Sequence, residues 1–330
     1  MIIFLMKLRY PIVFWAEGDN KIGYGHLMRI KTLSKELGLR NSFYFAVNEE
    51  SRKFLSEEKF KLLTYEELLD FKDFILFTDL RFPEKYSDEL KNVKKRVKKH
   101  LAIIDMGLGQ VEADIIIDGH VKPIIPYKYI NMFPHYVGPK YFIVSSRFRH
   151  FNKVRKKIRK RAKKIFLSLG GGVKIEQLYR FSELLGRERY TIEIAFGFGK
   201  SSRERRWFRK NFPFIKIAGK VQDLSRKYYE ADISIIAGGI SYYESAVTGT
   251  PSLYFYKDEF QKFIAEELEK AGVGICIGHI DKFNEYEFIE VLKKLRYNQI
   301  KREEISKKSK HLIDGLAIER VKTLILKLNK

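Results

Sequence analysis

Short apolar runs alternate with amphipathic stretches along the whole chain. The runs at 12–16, 43–47, 74–78, 101–104 and 115–117 read as buried strands. A second series follows at 165–169, 191–196, 214–218, 233–237, 252–255 and 274–277. Between most of them apolar residues recur at helical spacing, as in 27–37, 175–185, 260–270 and 285–294. Strands that alternate with helices predict parallel sheets covered on both faces. The polar, basic stretch 145–164 separates the two series and sets the expected domain boundary: 1–150 and 151–330. The chain closes with helical segments at 301–310 and 312–328, the last a candidate to pack back on the first domain. The expected fold class is α/β, with two doubly wound domains facing each other across a central cleft. Such a cleft is a common ligand site.

Charge changes the picture less than its size suggests. The 330 residues carry 64 Lys and Arg against 41 Asp and Glu, a formal net charge of +23. With 45% hydrophobic and 32% charged residues, wholesale disorder is excluded. The single cysteine, Cys276, excludes a disulfide framework and a multi-cysteine zinc site. The apolar start is broken by Lys7, Arg9 and Pro11, which reads as a first strand and not as a signal peptide. No run reaches the roughly 18 apolar residues of a membrane span, so a cytoplasmic protein is expected. Two basic runs, 94–99 and 153–164, each precede an apolar strand. Basic residues suit helix C-termini, and in such sheets those lie opposite the ligand-binding edge. The runs are therefore expected first as solvated faces and second as peripheral contacts with an acidic membrane surface. No nucleic acid partner is expected.

Two motifs fail on inspection. Gly197-Phe198-Gly199-Lys200-Ser201 ends like a phosphate loop, but Ile194 stands where the first glycine is required. Gly23-Tyr24-Gly25-His26-Leu27-Met28 starts like a dinucleotide fingerprint, but Met28 replaces the third glycine. No cofactor is expected. The same segment places His26 at the start of the first long helix, at the carboxyl end of a strand. There an imidazole can move a proton near neutral pH or simply cap the helix. Gly170-Gly171-Gly172 and Gly238-Gly239-Ile240-Ser241 each join a strand to a helix. Backbone N–H groups at such turns can hold phosphate. Glu244 falls one turn into the second helix, where a carboxylate can accept two ribose hydroxyls or only complement the helix dipole. Asp79, Asp105 and Asp118 end strands, as sugar ligands or as turn residues. The seven histidines are scattered, and metal-independent chemistry is expected.

Four segments carry a resemblance: IGYGHLMRIKTLSKEL at 22–37, GPKY at 138–141, LSLGGG at 167–172 and AGGISYYESAVTGTPSL at 237–253. In that order they resemble the UDP-sugar hydrolases of pseudaminic-acid biosynthesis and the related spore-coat polysaccharide proteins. The glycine-glycine-Glu segment is also similar to the transferase that adds GlcNAc to lipid I. The resemblance implies a GT-B fold with the nucleotide held by the second domain. It implies His26 as the catalytic base. It implies Gly171, Gly238, Gly239, Ile240, Ser241 and Gln261 at the nucleotide, Glu244 at the ribose, and Val221 beside the uracil. Asn20, Tyr24, Asp79 and Asp105 would lie near the sugar. The chain departs from the hydrolase pattern at Trp15-Ala16-Glu17, at Asp105-Met106, and at Ser145 and Arg147, all in the sugar half.

Ordinary glycosidases need two carboxylates. A nucleoside diphosphate leaves readily when N–H donors stabilise its charge, so one base suffices. The first reading is hydrolysis of a UDP-linked amino sugar, similar to UDP-2,4-diacetamido-2,4,6-trideoxy-altropyranose. It would release UDP and free sugar for nonulosonic (pseudaminic) acid or surface-polysaccharide synthesis. The second is glycosyl transfer from the same donor. The third is a basic binding protein without catalysis.

Overall fold

Ile12–Ala16 (β1, IVFWA) is buried at every position, as befits a strand covered on both faces. It lies inside a seven-stranded sheet in a computed structural model. The structure describes residues 8–19, 22–39, 42–46, 48–57, 60–104, 112–123, 134–170, 172–196, 201–218 and 224–329. The chain divides into two units, Met1–Ser146 with Leu316–Lys330, and Arg147–Gly315.

In unit 1, β1 is followed by α1 (Gly25–Leu37), β2 (Ser42–Ala46), α2 (Glu49–Glu57), β3 (Leu62–Leu63) and α3 (Tyr65–Asp70). Then come β4 (Phe74–Leu80), α4 (Ser87–Lys94), β5 (Val97–Ile104), β6 (Ile115–Asp118) and β7 (His135–Val137). The order is β3-β2-β1-β4-β5-β6-β7, all parallel. The winding reverses between β1 and β4, and ligands of such sheets bind at the carboxyl ends beside that reversal. The helix α5 (Ser146–Lys153) leads into unit 2.

Unit 2 repeats the plan. It runs β8 (Lys164–Ser168), α6 (Ile175–Gly186), β9 (Thr191–Ile194), α7 (Ser202–Asn211), β10 (Ile215–Ile217) and α8 (Ser225–Glu230). It continues with β11 (Ile233–Ala237), α9 (Ile240–Thr248), β12 (Ser252–Tyr256), α10 (Glu259–Lys270) and β13 (Ile275–His279). Two helices, α11 (Glu285–Tyr297) and α12 (Gln299–Leu312), close the unit. The parallel sheet runs β10-β9-β8-β11-β12-β13, so its reversal lies between β8 and β11.

The final helix α13 (Ala317–Leu328) returns to unit 1 and buries Ile318, Val321, Leu324 and Ile325 in the cluster that holds Leu27, Ile30 and Leu33 of α1. Asn329, just beyond it, donates to the Tyr10 carbonyl at 3.2 Å. The helix predicted over 312–328 is interrupted, because Gly315 takes φ +71° and α12 stops at Leu312. The Asn152 amide caps that stop, donating to the carbonyls of Lys310 and Ile313. The strand predicted from residue 214 begins one residue later. Phe214 instead lies over Gly186, where an added Cβ would come within 2.8 Å of its ring.

Most side chains of the basic runs are exposed, and several pair with acids. Lys94, Lys98 and Lys99 pair with Glu112, Asp73 and Asp114 at 2.7–2.8 Å. In the second run Arg159 pairs with Asp232, and Lys164 with Glu230. Lys156 is buried, and its ammonium donates to the carbonyls of Tyr228, Tyr229 and Ala231 at the end of α8. Burial pushes that ammonium down to about 7. Among the described residues no helix is long and apolar enough to cross a membrane.

Candidate functional site

Each unit presents a candidate site at its own sheet reversal. In unit 1 the chain leaves β1 through a turn in which Asp19 accepts the Ile22 and Gly23 N–H groups, and Gly23 takes φ +84°. That turn starts α1, and His26 enters its first turn. It does not cap the helix; its Nδ1 meets Asp79 Oδ1 at 2.7 Å, across from β1 on β4. Arg29, one helical turn on, grips the same carboxylate with two bonds, Nε to Oδ2 at 2.8 Å and Nη2 to Oδ1 at 2.6 Å. All three side chains are at most 5% exposed.

The electrostatics fix the roles. Burial alone would raise the Asp79 carboxyl, but the Arg29 and then the His26 charges outweigh it and hold it below its ordinary value. An ionised carboxylate can only accept, so His26 donates from Nδ1, and the neutral form of the ring has its lone pair on Nε2. Such a carboxylate orients the ring and stabilises the imidazolium formed when Nε2 takes a proton. Asp79, expected beside the sugar, is fully buried with both oxygens taken. In this arrangement its carboxylate holds the His26 ring.

Tyr24 stacks on Phe54 with centroids 5.7 Å apart, and its hydroxyl donates to Glu50 at 3.4 Å. Glu17, where the hydrolase pattern differs, is buried and accepts the Arg81 and Phe82 N–H groups and the Tyr86 hydroxyl. It therefore braces the loop after β4. A second acid–histidine pair ends β6: His120 Nδ1 lies 2.8 Å from Asp118 Oδ1, and Asp118 also accepts the His120 N–H. His120 lines one cavity with Arg29, Tyr141 and Phe142.

In unit 2 the loops after β8 and β11 flank the reversal. Gly170 takes φ +81° and Gly238 +69°. Gly239 combines φ +66° with ψ −147°, a conformation almost confined to glycine, and serves as the N-cap of α9. Ile240 and Ser241 form the first turn, so their N–H groups belong to the unsatisfied start of a helix. Gln261 packs on this loop: an added Cβ on Gly238 would come within 2.4 Å of its Oε1. That oxygen accepts the Lys257 N–H, and the Lys257 ammonium reaches the Leu169 carbonyl at 3.1 Å, tying the two loops together.

Glu244 stands one turn into α9. It is only partly exposed, and among the described residues its carboxyl has no hydrogen-bond or ion-pair partner. Burial pushes it up to about 7. Close enough to feel its charge is Tyr228 of α8, fully buried, whose hydroxyl makes no hydrogen bond of normal geometry. An unsatisfied buried polar group costs about 1–3 kcal/mol. The partly exposed Glu244 carboxyl is the one of the two that a ligand hydroxyl would meet.

Asn20, Asp105, Gly171 and Val221 lie outside the described residues. Sequence reasoning missed Arg29, Glu17, His120 and Tyr228. For Arg29 a signal existed: it falls on the helix face that buries Leu27, Ile30 and Leu33. Among the described residues no three His, Cys, Asp or Glu side chains are grouped to hold a metal ion.

No protein-family model matches the chain. The spore coat polysaccharide biosynthesis protein SpsG of Bacillus subtilis (strain 168) is 24% identical over 330 residues, covering 94% of this chain and 96% of that protein. MurG of Acinetobacter baumannii superposes with a TM-score of 0.66 at 13% identity, over 96% of this chain and 99% of that one. CalG4, the calicheamicin glycosyltransferase, gives 0.62 at 11% identity over 97% and 98%. A glycosyltransferase from Rickettsia africae ESF-5 gives 0.59 at 11% identity over 98% and 99%. With two parallel-sheet α/β units, the chain has a GT-B-like glycosyltransferase fold.

Proposed function

We propose that this protein is a glycosyltransferase that moves a sugar, an amino sugar in particular, from UDP to a hydroxyl acceptor in polysaccharide biosynthesis. The observation that carries the nucleotide half is the Glu244 carboxyl, partly exposed and without a partner among the described residues, beside the Gly238–Gly239 turn. In this reading the N–H groups at the start of α9 take the diphosphate, where the helix dipole favours anions. Glu244 accepts the ribose hydroxyls, and Gln261 supports the loop. Gly171 and Val221 are assigned to the nucleotide as well, and Asn20, Tyr24 and Asp105 to the sugar.

His26 is the base. Nε2 takes the acceptor's proton as the acceptor oxygen bonds to the anomeric carbon. The bond from that carbon to the diphosphate oxygen breaks, and UDP leaves. Asp79 holds the ring in the required tautomer, and Arg29 holds Asp79 ionised. A base of this kind contributes about 10²–10⁴-fold.

Hydrolysis, which the sequence puts first, is the same step with water as the acceptor. The names of the relatives favour transfer instead: two of the solved structures are glycosyltransferases, and SpsG is named for polysaccharide biosynthesis. The test is a panel of UDP-amino sugars incubated with and without carbohydrate acceptors, with products weighed by mass spectrometry. Transfer requires UDP release that depends on an acceptor, together with an acceptor enlarged by one sugar. Free sugar released at full rate without acceptor would restore hydrolysis, and absence of any UDP binding would remove both.

A further inference from the structure

We propose that α7 and the turn after it form a docking surface for an anionic lipid bilayer. The stretch from Arg205 to Lys216 contains five cationic residues and no acid. On α7, Phe208 is buried. Helical geometry puts Arg203, Arg206 and Lys210 on the face opposite Phe208, with Trp207 and Arg209 at its flanks. Arg203, Arg206, Trp207, Arg209 and Lys210 are all exposed. Two large apolar side chains stand out of this cationic field, Trp207 at 46% exposure and Phe214 at 53%.

Exposed aromatics beside unpaired cations select this surface over the basic runs at 94–99 and 153–164, neither of which contains an aromatic residue. Among the described residues the four exposed cations of α7 make no ion pair; Lys94, Lys98, Lys99, Arg159 and Lys164 are paired with acids, while Arg155, Lys157, Lys160 and Lys163 of the second run are not. The patch is thus a concentration of unneutralised charge.

The aromatics select the partner. The Trp207 indole packs tilted on Tyr179, with centroids 4.5 Å apart and 33° between the planes, and the tip of the Phe214 ring lies against Gly186. Tyr179 covers part of the Trp207 indole, which leaves less of it for stacking a nucleic acid base. Exposed aromatic rings among arginines suit the headgroup boundary. There aromatic rings enter the interface while cations meet lipid phosphates.

The chain has two tryptophans, and Trp15 is fully buried, so an optical signal from a bilayer reports Trp207. The full chain is titrated with vesicles of phosphatidylcholine, and of phosphatidylcholine mixed with phosphatidylglycerol, each with and without brominated acyl chains. The expected result is binding to the anionic vesicles alone, weakened by salt, with tryptophan emission quenched by bromine. Neutralising one cation should weaken binding about fivefold, and Arg206→Gln with Arg209→Gln and Lys210→Gln about a hundredfold. These exposed substitutions are expected to preserve the fold, checked by thermal melting. Trp207→Phe removes the quenching and guards against a global change. The control Lys94→Gln with Lys98→Gln and Lys99→Gln should bind as the parent does. Equal binding to neutral vesicles, no binding at all, or equal loss in the control would overturn the proposal. So would single-stranded DNA that binds at the patch while anionic vesicles do not.

Discussion

The two candidate sites stand at equivalent places, each beside the reversal of a parallel sheet, yet they are finished to different degrees. In unit 1 the buried charges satisfy one another: Asp79 is taken by His26 and by two bonds from Arg29. In unit 2 the Glu244 carboxyl and the Tyr228 hydroxyl are left without such partners, above a turn that only glycine adopts readily. A closed network suits a group that must hold one protonation state and one orientation before substrate arrives. An open one suits a ligand that brings its own hydrogen bonds. The contrast fits the proposed function, with chemistry in unit 1 and nucleotide binding in unit 2.

The largest expected break comes at His26. His26→Ala removes the base and should lower turnover about 10²–10⁴-fold, measured as UDP release with acceptor present. Asp79→Asn sharpens the point, because it keeps the shape and removes the charge. It leaves Arg29 buried without its anion, which costs about 3–5 kcal/mol when one partner of a buried pair is lost. Urea denaturation should show that loss, and turnover should fall with it. An Asp79→Asn protein as stable as the parent would contradict the closed network.

Unit 2 should respond in binding. Glu244→Gln should weaken UDP about tenfold to a hundredfold, since a bond to a charged group contributes about 1.5–3 kcal/mol. It should also erase the preference for UDP over 2′-deoxy-UDP, read by isothermal titration calorimetry. Gly239→Ala meets no atom within 4 Å, so any cost comes from backbone conformation alone. That cost should be about 1–3 kcal/mol in denaturation.

The smallest effect is a pH dependence. Folding raises the Glu244 carboxyl from 4.5 to about 7. The folded chain therefore holds more protons than the unfolded chain in that window, and stability contributed here falls as pH rises through it. The penalty is absent below about 4.5 and complete above about 7. Glu244→Gln should thus raise the melting temperature at pH 8 and leave it unchanged near pH 4. Unaltered melting at pH 8 would mean that the carboxyl is not confined as described.

What the sequence made legible follows the range of the interactions involved. The strand series, the two glycine turns and the place of Glu244 depend on neighbours a few residues away, and these can be read from spacing. Asp79 was visible as a strand-end acid, but its partners lie 50 and 53 residues distant, so its occupation by Arg29 and His26 could not be read. The break near Gly315 was hidden because apolar periodicity continues through it, while the Asn152 cap that stops α12 comes from another helix. The ion pairs of the basic runs could not be read because their acids, Asp73 and Asp232 among them, lie elsewhere in sequence.

The division of labour between the units is tested most directly by titrating UDP into His26→Ala and Glu244→Gln side by side in a calorimeter. The account expects His26→Ala to bind UDP as the parent does and Glu244→Gln to bind it at least about tenfold more weakly. Loss of UDP binding in His26→Ala with full binding in Glu244→Gln would contradict it.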